Sequence, residues 1–182
     1  MDTTEFSNKA KQLIDDIKGI CNNAGLGGDA NEYKIVTQGF LYKFINDKFL
    51  FEVGKIDAKL KSYENLVAIN TNDYDLLMIK LGTKSAHLKP EHLLENLFKH
   101  LNDEGFAKLV DDTFNYIAVE NSEIFSVHTS GNTEIMLFEE KLIQDAVDDK
   151  SKQDETARQL INKLANNRFD FDALFSAGFN FF

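Results

Sequence analysis

A chain of 182 residues with 43% hydrophobic and 27% charged side chains is long enough for one packed domain and too apolar to be disordered as a whole. The one cysteine, Cys21, excludes a disulfide framework and a thiolate-rich zinc site, and its usage fits a reducing compartment, so a cytoplasmic protein is expected. A net charge of -10 excludes a surface that is basic throughout, the acidic start Met1-Asp2-Thr3-Thr4-Glu5 does not read as a secretory leader, and no stretch approaches the ~18 uncharged apolar residues of a membrane span.

Phe6, Ala10, Leu13, Ile14, Ile17, Cys21 and Ala24 recur at the spacing of one helix face, and Gly25 stands where a left-handed terminator is wanted. Asp29 with Glu32 three residues later is a capping box for a second helix, predicted from about Ala30 to Val53. Its apolar positions Tyr33, Val36, Phe40, Leu41, Phe44, Ile45, Phe49 and Phe51 cover more than one face, so it should lie at the centre with several neighbours. On that reading Phe44→Ala costs roughly 3 to 5 kcal/mol. A helix from Asp73 to Leu81, ended by Gly82, comes next. Pro90 reads as the first residue of a helix that buries Leu93, Leu94, Leu97, Phe98 and Leu101. Another helix follows Gly105, with Phe106, Leu109, Val110, Phe114 and Ile117 in phase.

The turn signal Ser130-Gly131-Asn132 lies between β-branched and aromatic segments and predicts one small β-hairpin near residues 124–138. Helical spacing returns at Leu142, Ile143 and Ala146, then at Ala157, Leu160, Ile161 and Leu164, with Asp145 to Asp149 as a solvated connection. The fold class is mainly α, a helical bundle-like single domain over 1–182. Six of the last fourteen residues are Phe, so the end of the sequence wants a covering surface, either this domain or a following one.

Chemistry-bearing patterns are scarce. Gly25-Leu26-Gly27-Gly28-Asp29-Ala30 fits a dinucleotide fingerprint in letters only, because a helix rather than a strand precedes it. His87, His92, His100 and His128 have no metal-ligand spacing, and no metal site is expected. The acidic pairs Asp15-Asp16, Asp111-Asp112 and Asp148-Asp149 fall on predicted polar faces, where carboxylates are hydrated. No catalytic residue is assigned. Charge, however, is uneven: residues 1–91 carry 12 basic and 13 acidic side chains and residues 92–182 carry 8 and 17, while Tyr33 to Lys89 holds nine Lys against six acids. Lys55, Lys59, Lys61, Lys84 and Lys89 are the candidates for contact with a phosphate backbone.

The segment Asn31-Glu32-Tyr33-Lys34-Ile35-Val36-Thr37-Gln38-Gly39-Phe40-Leu41-Tyr42-Lys43-Phe44-Ile45-Asn46-Asp47-Lys48-Phe49 resembles an early helix in the amino-terminal helical domain of type I restriction-modification methyltransferase subunits. The likeness is in spacing and type at Tyr33, Val36, Phe40-Leu41, Lys43-Phe44-Ile45, Asp47 and Phe49, and is specific only near residues 31–53. Phe169-Asp170-Phe171-Asp172-Ala173-Leu174-Phe175 is similar to the passage that precedes the catalytic domain in such proteins.

The resemblance implies a parent enzyme that transfers a methyl group from S-adenosylmethionine to the exocyclic amine of adenine in DNA, working with a specificity subunit. It implies for this chain a non-catalytic role in holding duplex DNA and in assembly, with Phe175, Phe179, Phe181 and Phe182 meeting the parent's own methyltransferase domain. The family's N-P-P-[FY] motif cannot exist where Pro90 is the lone proline, so no cofactor is expected in this chain. The competing expectation is a helical protein-interaction module with no nucleic-acid role.

Overall fold

The computed structural model describes residues 3–122, 127–128, 134–135, 138–167 and 169. Helix α1, Thr3–Ala24, buries Leu13, Ile17, Ile20 and Cys21 along one face. It ends in a Schellman turn: Gly25 takes φ 90°, its N–H donates to the Asn22 carbonyl (3.0 Å), and the Leu26 N–H donates to the Cys21 carbonyl (2.9 Å). Leu26 is buried after the turn, which fixes the exit direction of the chain.

Helix α2, Ala30–Ile56, starts where Asp29 accepts from the Asn31 and Glu32 N–H groups (2.7 and 3.0 Å). The Glu32 carboxylate reaches back to the Gly28 N–H (2.9 Å), one residue earlier than in a standard capping box. Gly54 does not stop this helix, which runs three residues beyond the predicted end; the Lys61 side chain lies over the glycine, where a Cβ would approach it to 2.3 Å. A 3-10 turn, Ala58–Lys61, and a short helix α3, Tyr63–Val67, follow.

Helix α4, Thr71–Leu81, begins two residues before the predicted start, with Asn70 accepting from the Asp73 N–H (3.0 Å), and ends at Gly82 with φ 57°. The helix expected to begin at Pro90 is divided. Pro90–His92 is a 3-10 turn, Leu93 is extended, and α5 spans Leu94–Lys99. The break has a partner, since the Leu94 N–H donates to the Asn46 side chain of α2 (2.9 Å). Phe98, expected to be buried, is exposed.

Helix α6, Phe106–Glu120, is capped by Asp154, which accepts from the Gly105 and Ala107 N–H groups (2.9 and 2.8 Å). The expected hairpin is present as a two-residue antiparallel ladder, β1 Val127–His128 with β2 Glu134–Ile135, pairing Val127 with Ile135. Its turn, Ser130-Gly131-Asn132, lies outside the described residues. Helices α7, Leu142–Ala146, and α8, Lys150–Asn166, complete the array; Asp149 caps α8 through the Ser151 N–H (3.0 Å).

Helix α2 runs through the middle, touching α1, α4, α7, α8 and the 58–61 turn. Helix α8 packs in turn on α1, α5 and α6. The two central helices approach closely because Gly39 faces Leu160: a Cβ there would lie 3.1 Å from a Leu160 methyl. On the other side of α2, Tyr42, Phe114 and Phe138 stack in sequence, with ring centroids 4.7 and 5.0 Å apart. No described helix is long and apolar enough to cross a membrane.

Candidate functional site

Among apolar neighbours, α2 carries one charged pair inward. Lys43 is 3% exposed, and its ammonium donates to both oxygens of Asp47 (2.9 and 2.8 Å), one turn further along. The Asn46 amide donates to the same carboxylate (2.9 Å), while its oxygen accepts from Leu94. A buried ion pair survives desolvation only when its remaining hydrogen-bonding capacity is filled, and here Asn46 supplies that. The pair forms the floor of a groove of about 610 Å³ between the second half of α2, the start of α5 and the end of α8. Leu50, Phe51, Tyr63, Phe98 and Phe169 are its apolar walls, and Lys61 and Glu95 stand on it. The signal for this pair in the sequence is opposite charge at i, i+4 inside an otherwise apolar helix; spacing alone did not show that it is buried.

The five candidate lysines are all exposed, in two places. Lys55 and Lys61 flank Phe51, their ammonium groups 4.0 and 6.0 Å from its ring centre, and Lys55 also pairs with Glu52 (3.1 Å). Lys59 is on the same 58–61 turn, which Asp57 caps by accepting the Lys59 N–H (2.9 Å). Lys84 and Lys89 belong to the segment before α5. There Lys89 donates to the Tyr116 hydroxyl and lies 4.7 Å from that ring, an arrangement that raises its pKa above the usual lysine range. The described contacts join Lys55, Lys59 and Lys61 into one patch; none joins them to Lys84 or Lys89.

Tyr116 also packs on His92, with centroids 4.1 Å apart. Burial, the main cause, lowers the His92 pKa, and its buried Nδ1 has no protein partner. The His92 carbonyl accepts from the Tyr42 hydroxyl (2.8 Å), and burial puts that phenol well above its ordinary pKa. His100 is exposed beside Asp103 (2.7 Å). Among the described residues no three His, Cys, Asp or Glu side chains converge as a metal site requires.

One carboxylate departs from expectation. Asp111, read as hydrated, is fully buried and accepts from the Ile143 N–H (2.8 Å), the Gln144 N–H (3.0 Å) and the Gln144 amide (3.0 Å). It caps α7 from α6, and burial raises its pKa despite those donors. Its role is structural. Burial, helped by Glu32 and Asp29, pushes the Cys21 thiol up to about 12, which keeps it from acting as a nucleophile.

The glycine-rich turn is occupied by its own helix ends. Gly25 serves the α1 terminus, the Gly28 N–H is bound by Glu32, and a Cβ on Gly27 would lie 2.1 Å from the Asn22 side-chain oxygen. These residues do not fit a nucleotide or S-adenosylmethionine cradle, which needs free backbone N–H groups after a strand. No protein-family model, curated protein or solved structure matches this chain.

Proposed function

We propose that this chain is the non-catalytic amino-terminal domain of a DNA adenine-N6 methyltransferase subunit of a restriction-modification system, holding duplex DNA and assembling with a specificity subunit. The observation that carries the reading is the behaviour of residues 31–49. They form the helix around which the others pack, and the two charged residues of the resemblance, Lys43 and Asp47, are its one buried ion pair among the described residues. A segment recognised by spacing is thus also the physical centre of the fold. S-adenosylmethionine and methyl transfer belong to the parent's catalytic domain, and this chain contributes no step of that chemistry.

The patch of Lys55, Lys59 and Lys61 is the first place to look for phosphate contacts. The test is titration with duplex DNA over a range of salt. Binding should weaken linearly on a log–log plot, with a slope of about -0.9 per phosphate neutralised, so a three-lysine contact gives roughly -3. The variant K55E/K59E/K61E should lose binding at every salt concentration. Absence of binding by the parent chain at about 50 mM salt would contradict DNA holding.

A second reading, a protein-interaction module without a nucleic-acid role, is favoured by one feature. Leu76 and Ile79 of α4 are exposed, Ile79 by 75%, and Leu76 borders a hollow also lined by Ile56, Leu60 and Ile69. Loss of partner binding in L76S/I79S, with DNA binding absent in the parent, would establish that reading instead.

A further inference from the structure

We propose that the groove beside α2 is the seat of the segment that follows Phe169 in this chain, Asp170-Phe171-Asp172-Ala173-Leu174-Phe175. Phe169 is buried at one end of the groove, its ring 5.2 Å from Phe6 and 5.7 Å from Phe40, with the Lys43 ammonium 5.9 Å away. The next residues of the chain therefore start at the groove's mouth.

The groove asks for an apolar occupant. The Lys43–Asp47 pair and Asn46 satisfy one another and Leu94, the Tyr63 hydroxyl donates to Asn96 (2.7 Å), and the Asn166 amide is bound to Asn162. With those polar groups engaged, the chief unsatisfied quantity is the exposed carbon of Leu50, Phe51, Tyr63 and Phe98, which a polar small molecule would not cover. The segment matches in pattern: Phe171 and Phe175 are four residues apart, with Leu174 adjacent, so helical spacing would put these side chains on one face.

Charge matches as well. Asp170 and Asp172 would enter a site whose far end carries Lys61 and Lys55. Length is sufficient, since Lys43 to Phe51 is about 12 Å of helix at 1.5 Å per residue, and six residues reach roughly 9 Å as helix and up to about 20 Å extended. Phe179, Phe181 and Phe182 remain for a different surface.

The test uses the full chain with Ser176→Cys carrying a nitroxide label, which the buried, high-pKa Cys21 leaves as the reactive thiol. Amide signals of Phe51, Lys61, Tyr63, Glu95 and Phe98 should be broadened, while those of Gly28 and Lys108, at the opposite ends of α2 and α8, stay sharp. Adding F171S/F175S should restore the groove signals and leave those of buried Leu97 and Phe114 in place. Sharp groove signals in the labelled parent chain would overturn the proposal. So would broadening seen only when a labelled chain is mixed with an isotopically enriched unlabelled one, because a second copy would then be the occupant.

Discussion

Removing the Asp47 carboxylate leaves the Lys43 ammonium buried without its counter-ion, so Asp47→Ala should destabilise the fold by about 3 to 5 kcal/mol. Replacing both members, Lys43→Met with Asp47→Leu, should cost far less, since the groove loses a charge together with the charge that balances it. Urea midpoints for the single and double variants measure that difference. Among the rings of α2, spacing marked Phe44 for the core, but it is half-buried; Phe49 is fully buried. Phe49→Ala should therefore cost about 3 to 5 kcal/mol, and Phe44→Ala clearly less. Tyr33, which the pattern put on an apolar face, is 72% exposed at the start of the helix. Which member of an apolar set is buried depends on neighbours far away in sequence, and periodicity does not carry that information. His92 sets a pH dependence. Its pKa lies below the usual 6.5 in the fold, so just below pH 6.5 the unfolded chain binds a proton that the folded chain does not. Stability should fall as pH drops through that window, and His92→Gln should flatten the fall when unfolding midpoints are compared across it.

Helix ends divide into those a sequence reader can find and those that only the fold creates. The caps by Asp29, Asn70 and Asp149 use a side chain next to the helix it starts, so local residue types reveal them. Asp29→Ala should cost about 1 kcal/mol, measurable by thermal or urea unfolding. Three other starts are capped across the fold: α5 by Asn46, α6 by Asp154 and α7 by Asp111. Nothing near Leu94 or Leu142 in the sequence announces these, which is why the division at Leu93 and the burial of Asp111 were not legible. Asp111→Ala strands buried donors at about 1 to 3 kcal/mol each, so it should destabilise the protein more than Asp29→Ala does. The glycine at the centre of α2 follows the same division: Gly39→Leu would press on Leu160 and separate α2 from α8, at roughly 1 to 3 kcal/mol.

At the scale of the molecule, the mainly helical class, the small hairpin and the central place of α2 were all legible, because they follow from the apolar period and from a helix with no polar face. The groove was not, since its walls come from α2, the 58–61 turn, α3, α5 and α8, which meet only in three dimensions. Electrostatics shows both limits: the basic segment is visible in the sequence, but its division into a patch at 55–61 and a separate Lys89–Tyr116 contact is not. The account rests on α2 as the hub of packing, and native-state hydrogen exchange measures this most directly. Amides from Tyr42 to Phe49 should exchange only through global unfolding, with the same free energy as the slowest amides of α6 and α8. Faster exchange there through local opening, while α1 and α8 remain protected, would contradict it.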